Sequence, residues 1–231
     1  MSKILFVVTG SDHWTLADGT RHPTGFWAEE AIAPYDVFKK AGHEVVVATP
    51  GGVVPTVDAG SLAPEFNDGR ENADRMAAAV AANAELASPV KLEEVDLADY
   101  EAVFYPGGHG PMEDLSVNAD SGALLTRALD SGMPLGIVCH APAAMLAATK
   151  DDGGNAFAGY DVAAFTNAEE AQAGFADKAA WLLQDRLTEA GINVRVGEPW
   201  APHVIVDRNL VTGQNPASSA PLATTLLEKL D

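Results

Sequence analysis

Cysteine is almost absent from this sequence of 231 residues, which contains a single one, Cys139. One cysteine cannot form a disulfide bond within the chain, so a small secreted fold held by disulfides is excluded. The scarcity fits a reducing compartment, in which a thiol stays free to react. We therefore expect a cytoplasmic protein whose one thiol is available for chemistry.

Basic residues are also scarce, since 14 lysines and arginines stand against 33 aspartates and glutamates and give a net charge of −19. Such a surface repels nucleic acid and anionic membranes, so neither is expected as a partner. Long hydrophobic runs are missing as well, because the first apolar run extends only from Ile4 to Val8. That length is too short for the core of a signal peptide or for a membrane span.

Hydrophobic residues, by contrast, make up 47% of the chain. A chain of this length can bury one large core with that content, so residues 1–231 are predicted to form a single domain. Residues 53–98 are less regular, with a Pro-, Asp- and Gly-rich start and a predicted helix near 71–86. We predict a small inserted capping element there.

Short apolar runs alternate with stretches of helical periodicity along the rest of the chain. This alternation is typical of an α/β protein with a doubly wound, mostly parallel sheet sandwiched by helices. The predicted elements are strands at 3–9, 44–48, 102–105, 135–138, 160–165 and 192–196, helices at 25–41, 119–131 and 177–190, a hairpin formed by 204–206 and 210–212, and a closing helix.

Cys139 directly follows the predicted strand 135–138, and a helix-compatible run begins without an intervening loop. The thiol therefore faces the N-terminal end of a helix, where unpaired N–H groups stabilise negative charge. A helix terminus contributes at most about 2 kcal/mol, so a thiolate at neutral pH needs a second helper. The alternative is an inert core thiol, since free cysteine is often buried.

Glu30, on the first crossover helix, is the candidate for that helper. A carboxyl group whose pKa is raised by burial can donate its proton to the sulfur and hold it as a thiolate. An ionised Glu30 would instead repel the thiolate, so the two groups are expected to share one proton. The alternative is an ordinary surface carboxylate, which is what we expect for Glu29.

Other candidates follow predicted strands, at the edge of a parallel sheet where functional groups collect. His140 is a candidate acid or base oriented by Glu170, in a Cys-His-Glu arrangement. Gly107 and Gly108 allow backbone N–H groups to approach a reacting oxygen, as in an oxyanion hole. The alternative for the glycine pair is a tight turn.

The remaining histidines do not indicate a metal site. His13, His22 and His109 lack the H-x-x-x-H or C-x-x-C spacing of metal ligands, so positions in loops or at a pocket rim are favoured. His109 lies in the glycine-rich loop and Trp14 in the polar loop 10–24. We assign both residues to substrate binding.

Together these motifs resemble the ThiJ/PfpI superfamily, which has the class I glutamine amidotransferase-like, flavodoxin-like fold. Within it, the chain is similar to the branch of heat-shock chaperones and glutathione-independent glyoxalase III proteins. The resemblance covers nearly the whole chain. Its carriers are Thr24-Gly25 with Glu30, Gly108-His109-Gly110, Val138-Cys139-His140-Ala141-Pro142, Phe165-Thr166-Asn167-Ala168-Glu169-Glu170, and Val211-Thr212-Gly213-Gln214-Asn215-Pro216-Ala217-Ser218.

The resemblance implies a nucleophilic Cys139, with Glu30 as the protonated partner of its sulfur. It further implies a triad completed by His140 and Glu170, and oxyanion donors in the N–H groups of Gly108 and His140. The implied reaction converts methylglyoxal, a small reactive carbonyl compound, to lactate without glutathione, metal or organic cofactor. A homodimer is also implied.

Amidotransfer is not expected, because the sequence departs from the G-x-C-x-G motif of glutamine amidotransferases. His140 follows Cys139, and no glycine stands at the second position after it. Two other functions stay open. One is a different Cys-dependent hydrolase or hydratase, and the other is a holding chaperone or redox sensor whose thiol is oxidised as a signal.

Overall fold

A mostly parallel sheet runs through the computed structural model of this protein, which describes residues 2–230. The strands of the described part are β1 Lys3–Val7, β2 His13–Thr15, β3 Arg21–Pro23, β4 Glu44–Thr49, β5 Val90–Lys91, β6 Ala102–Tyr105, β7 Leu135–Val138, β8 Asp161–Val162, β9 Asn193–Val194, β10 Val204–Asp207 and β11 Leu210–Gly213. Seven of them form the main sheet in the order β10-β11-β7-β6-β1-β4-β5. Its pairs are parallel except the β10–β11 hairpin, as predicted.

Helices flank this sheet and complete an α/β, flavodoxin-like architecture. They are α1 Ala28–Lys40, α2 Arg70–Ala82, α3 Ala84–Ala87, α4 Gly110–Glu113, α5 Ala119–Asp130, α6 Asn167–Gln172, α7 Leu183–Glu189 and α8 Ser219–Leu227. Every residue of β6, β7 and β11 is buried. Continuous apolar runs are typical of such strands, which are covered on both faces of a parallel sheet. Among residues 2–230, no helix combines the length and apolarity needed to span a bilayer.

One hydrophobic core extends from Ile4 in β1 to Leu226 in α8. Strands β6 and β7 are neighbours within it, and Val103 pairs with Leu135 in parallel register. The carboxyl ends of both strands therefore lie at the same sheet edge. This register brings the glycine-rich loop after β6 beside the cysteine turn after β7. A single domain covering the whole chain stays a prediction.

The segment after Cys139 differs from the prediction, because Ala141–Ala147 is a 3-10 helix rather than an α-helix. Its N–H groups donate to carbonyls three residues earlier, which is the tighter winding. Space is short here, since a Cβ added at Gly122 of α5 would lie 2.1 Å from the Ala147 oxygen. The long helix terminus expected to stabilise a thiolate is thus replaced by a few narrow turns.

The strand predicted at 160–165 is wrong for most of its length, since β8 covers only its start and pairs with β9 outside the main sheet. Beyond β8, the backbone bonds to the ends of the central strands instead of forming a ladder. The N–H of Ala163 donates to Thr212 Oγ1 at 2.8 Å, and that of Phe165 donates to the Cys139 carbonyl at 2.9 Å. These bonds bring Phe165 and α6 against the cysteine turn.

The helix predicted at 177–190 begins later than expected, with α7. Before it, the N–H groups of Lys178 and Ala179 both donate to the Phe175 carbonyl at 2.8 Å, which closes a turn instead of a longer helix. The helix predicted near 71–86 is also interrupted, at Asn83. The Asn83 backbone is extended there, and its side chain caps α3.

The segment predicted as an inserted cap, residues 53–98, contributes α2, α3 and the edge strand β5. Helix α2 packs against α1, and a pair of 3-10 turns precedes it. Phe66, in the second of these turns, lines the cavity described below. Part of the segment therefore covers the site, and its assignment as an insertion stays a prediction.

Candidate active site

Cys139 has a backbone conformation that side-chain-bearing residues rarely adopt, with φ at 61° in the left-handed region. Both of its backbone groups are bonded, the N–H to the Gly213 carbonyl at 2.8 Å and the carbonyl to the Phe165 N–H at 2.9 Å. Only 3% of the residue is exposed, yet it lines a cavity. A strained turn that presents a thiol to a cavity favours the reactive interpretation over an inert core thiol.

The surroundings of Cys139 do not stabilise a resting thiolate. Burial raises the pKa of the thiol well above its ordinary value, the interaction with Glu30 raises it further, and the Gly108 N–H works in the opposite direction. The thiolate expected from the sequence is therefore not supported, because the sulfur is buried and no long helix follows it. Reaction requires a base beside the sulfur.

His140 lies where such a base would stand. Its Nδ1 lies 3.2 Å from Cys139 Sγ, and its Nε2 lies 2.7 Å from Oε2 of Glu170. Burial lowers the pKa of His140, and the neighbouring His109 lowers it further, which favours the neutral imidazole. A carboxylate accepts the proton that Nε2 carries, so the Nδ1 lone pair faces the thiol. The Cys-His-Glu arrangement predicted from the sequence is thus assembled with the geometry of a general base.

Glu170 lies between two imidazoles in the first turn of α6. Its Oε2 accepts from His140, and its Oε1 accepts from Nε2 of His109 at 2.9 Å. Burial acts to raise the pKa of Glu170, but the charge and hydrogen bonds of the two imidazoles hold it well below its ordinary value. The carboxylate therefore stays ionised and orients His140.

His109 and Trp14 were both assigned to substrate binding, but only His109 reaches the cavity. His109 lines the cavity, and its Nε2 bonds to Glu170. Trp14, on β2, is 1% exposed and stacks on the His109 ring with centroids 4.5 Å apart and planes 14° from parallel. Trp14 is outside the cavity lining and supports His109 from behind, so its assignment to direct substrate binding is corrected.

The other two histidines differ in their access to the cavity. His22 lines it, and burial lowers the pKa of that imidazole. His13 lies outside the lining, where Nδ1 is 2.8 Å from Asp12 and Nε2 is 3.3 Å from Glu113. The pocket-rim interpretation therefore fits His22 and does not fit His13.

Glu30 is buried on the inner side of α1, with no exposed surface, which excludes an ordinary surface carboxylate. Its Oε2 accepts from the Gly107 N–H at 2.9 Å, and its Oε1 has no hydrogen-bonding partner among the described residues. Burial raises the pKa of Glu30 to about 8, although interactions with Cys139 and Gly107 oppose the rise. The carboxyl group thus carries a proton at neutral pH, as the sequence analysis expected.

The two loop glycines have separate tasks. The N–H of Gly107 is taken by Glu30, so its assignment as an oxyanion donor is corrected. A Cβ at Gly107 would lie 2.7 Å from both Glu30 Oε2 and the Val138 oxygen, so only glycine fits. Gly108 has φ at 94°, and its N–H interacts with the Cys139 sulfur. Of the two glycines, it is therefore Gly108 whose N–H lies beside the sulfur.

The described residues contain one group close enough together to ligate a metal ion: His109, His140 and Glu170, whose ligand atoms lie within 4.8 Å of one another. In the structure the two carboxylate oxygens accept from the two imidazoles instead. Spacing rules missed this group because its members come from three separate segments. Metal binding there would occupy the base that Cys139 needs.

The site opens into a cavity of about 760 Å³. Its walls are largely apolar, and the lining includes the aromatic side chains of Trp27, Phe66, Phe165, Phe175 and Trp200. Asp12 and Asp58 are the acidic residues of the lining, and no lysine or arginine belongs to it within the described part of the chain. The cavity is therefore suited to an uncharged, largely apolar ligand.

A family model described as the DJ-1/PfpI family matches residues 23–229. The chain belongs to the DJ-1/PfpI family. The resemblance to the ThiJ/PfpI superfamily and to its glyoxalase III branch, stated from the motifs, is thereby confirmed.

Two named relatives and one solved structure are similar to this chain over most of its length. "Glutamine amidotransferase-like class 1 domain-containing protein 1" of Bos taurus is 35% identical over 188 residues, which is 81% of this chain and 80% of the relative. "Protein/nucleic acid deglycase HchA" of Staphylococcus aureus is 27% identical and spans 99% of this chain and 80% of its own. The structure of glyoxalase III from Candida albicans superposes with a TM-score of 0.84, at 27% identity, over 98% of this chain and 96% of that one.

A buried carboxylate next to Glu170 in this DJ-1/PfpI chain was not singled out by the sequence analysis. Glu169 is fully buried, and its Oε2 accepts from the N–H and the hydroxyl of Thr166. Its Oε1 accepts from Gln214, Asn215 and the Trp200 N–H at 2.9 to 3.1 Å. The signal was present in the sequence, because Thr166 and Glu169 have the spacing of a capping box.

Proposed function

We propose that this protein is a glutathione-independent glyoxalase III-type enzyme that converts methylglyoxal to lactate through a covalent adduct on Cys139. The observation that carries the proposal is the series of contacts from the Cys139 sulfur through His140 to Glu170, at a cavity wall. A thiol with its own base can replace the glutathione thiol, because either one adds to an aldehyde. The names of two relatives, a deglycase and a glyoxalase III, support the broader class of chemistry on 2-oxoaldehydes or their adducts.

The first step is addition of the sulfur to the aldehyde carbon. As the new bond forms, His140 accepts the thiol proton at Nδ1, and Glu170 stabilises the resulting imidazolium through Nε2. The aldehyde oxygen becomes an oxyanion, for which the Gly108 N–H is the available donor. The imidazolium then returns its proton to this oxyanion, which gives a neutral hemithioacetal and leaves His140 neutral for the next step.

The second stage moves protons between two adjacent carbons. The former aldehyde carbon loses a proton to give an enediol, and its neighbour gains one, which leaves a thioester and an alcohol. His140 and the neutral carboxyl of Glu30 are the groups available for these transfers, and the pKa of Glu30 at about 8 suits such a role. Water then hydrolyses the thioester, releases lactate and restores the thiol, so the sequence balances without an external oxidant.

A direct assay tests the proposal. Purified protein is mixed with methylglyoxal in the absence of added thiol, and lactate is measured. We expect lactate from the unmodified chain and none from Cys139→Ala, with Val117→Ala as a control because Val117 is 78% exposed and outside the cavity lining. Absence of lactate from the unmodified chain would overturn the proposal. Suppression of client aggregation that survives Cys139→Ala would then favour the chaperone alternative.

The setting of the enzyme is also part of the proposal. The single cysteine supports a reducing, cytoplasmic location, and the family resemblance supports a homodimer. Sedimentation equilibrium of the purified protein tests the dimer, and a mass of one chain across micromolar concentrations would contradict it.

A further inference from the structure

The cavity is far larger than the substrate proposed above. At about 760 Å³ it has the size that proteins use for ligands with one or more rings, whereas methylglyoxal has a three-carbon backbone. A three-carbon oxoaldehyde held on Cys139 would leave most of this space to water. The cavity therefore has room for a substrate with a larger substituent than the methyl group of methylglyoxal.

Two pairs of aromatic side chains line the cavity. Trp27 and Phe66 meet edge to face with ring centroids 5.1 Å apart, and Phe165 and Trp200 do the same at 5.5 Å. Phe66 is 53% exposed and Trp200 is 40% exposed, although large apolar residues are normally buried. An apolar ligand that covered them would remove both surfaces from water, which is favourable.

Trp200 is held in place by specific contacts. Its φ is 64°, in the left-handed region, and its N–H donates to the buried Glu169 at 2.9 Å. Its indole N–H donates to Gln172 Oε1 at 2.6 Å. A strained backbone is kept only where the surrounding contacts enforce it, and such positions concentrate at ligand sites. The indole of Trp200 is thus held in a fixed position on the cavity lining.

The charge of the lining restricts the substituent further. Carboxylates and phosphates are recognised by arginine or lysine, and the described lining has neither. Asp12 and Asp58 would repel an anion instead. The ligand that fits is one with an uncharged ring.

We propose that Trp200 and Phe66 form a binding subsite for the aromatic substituent of a 2-oxoaldehyde, so that aryl 2-oxoaldehydes are substrates of this site. The inference rests on the proposed function. The overall change is R–CO–CHO plus water to R–CH(OH)–COOH: the aldehyde carbon is oxidised to the acid, the ketone carbon is reduced to the alcohol, and no other reactant is consumed. The ring packs between the aromatic pairs while the aldehyde carbon bonds to the Cys139 sulfur.

The test compares kcat/KM for methylglyoxal, phenylglyoxal and 4-carboxyphenylglyoxal. We expect Trp200→Ala and Phe66→Ala each to lower kcat/KM for phenylglyoxal about tenfold, mainly by raising KM. The same variants should change kcat/KM for methylglyoxal less than about twofold. Trp200→Phe should retain most of the phenylglyoxal activity, and Val117→Ala should change neither substrate. The added carboxylate should lower kcat/KM about tenfold relative to phenylglyoxal.

The outcomes separate the two proposals. Turnover of methylglyoxal together with equal effects of Phe66→Ala on both substrates would overturn the subsite and leave the proposed function intact. Turnover of 4-carboxyphenylglyoxal as fast as phenylglyoxal would also overturn it. Absence of turnover with every substrate would overturn the proposed function and the subsite with it. Because Phe66 and Trp200 lie on separate segments, a folding defect in one variant leaves the other to decide.

Discussion

Nε2 of His109 lies 2.9 Å from Oε1 of Glu170, the carboxylate oxygen that His140 leaves free. Glu170 is therefore fixed by two imidazoles, one from the loop after β6 and one from the turn after β7. The arrangement restrains rotation of the carboxylate, which in turn restrains the ring of His140. His109 is a positioning residue for the base.

His109→Gln tests this role through the pH dependence of the reaction. Burial is the main cause that lowers the pKa of His140, and His109 lowers it further. Removing His109 should raise the pKa of His140, so the acidic limb of kcat/KM against pH should move to higher pH. We also expect turnover to fall about tenfold because the carboxylate is less restrained. His13→Gln, outside the cavity lining, is the control, and an acidic limb that stays in place would contradict the assignment.

Glu30→Gln should reduce turnover and increase stability at the same time. The pKa of Glu30 is raised to about 8, so the folded protein keeps a proton that the unfolded chain releases above the ordinary glutamate value. Its stability should therefore fall as pH rises from that value to about 8, by an amount on the order of a few kcal/mol. Gln cannot ionise, so the variant should lack this decline.

Urea unfolding at pH 5 and pH 8 measures the effect of Glu30→Gln, and lactate formation measures turnover. Glu228→Gln is the control, because Glu228 is exposed and lies outside the cavity lining. Equal slopes of stability against pH in the unmodified chain and Glu30→Gln would show that Glu30 does not hold the proton. Full turnover in Glu30→Gln would remove it from the chemistry.

Gly107→Ala should disrupt the site through sterics alone. The added methyl would lie 2.7 Å from the Val138 oxygen and 2.9 Å from the His140 nitrogen, and neither backbone atom can move freely. We expect a loss of about 2 kcal/mol in the free energy of unfolding and at least about a tenfold loss of turnover. At Gly10 the nearest atom to an added Cβ is 3.5 Å away, so Gly10→Ala is the control. Thermal unfolding with equal Tm shifts for both variants would contradict the steric argument.

Glu169→Gln should destabilise the loop that carries Trp200. The amide replaces one acceptor by a donor, so at least one of the donors that now bond to Glu169 would face an NH2 group in a buried space. We expect a loss of about 3 kcal/mol in the free energy of unfolding. Chemical denaturation measures it, with the exposed Glu189→Gln as control. A cost no larger than that of the control would show that the carboxylate is not needed.

Much of the catalytic set was predictable because it follows from local pattern and one general rule. The apolar run 135–138 predicts a buried strand that ends at Cys139, and parallel strands end at a common edge. Together these place Gly108 and Cys139 side by side before any coordinates are known. Helical periodicity likewise placed Glu30 on a crossover helix.

The sequence alone thus determined that a buried strand ends at the thiol. It also identified Cys139, His140, Glu170 and Glu30 as candidates for the chemistry. Only the tertiary structure decided that Trp14 supports His109 and that aromatic side chains from distant segments line a large cavity. These features depend on burial and on which surfaces meet, and contacts between segments far apart in the chain leave no periodic pattern in either one. The narrow 3-10 turns after Cys139 were hidden for the same reason, since the segment that forms them packs closely against α5 at Gly122.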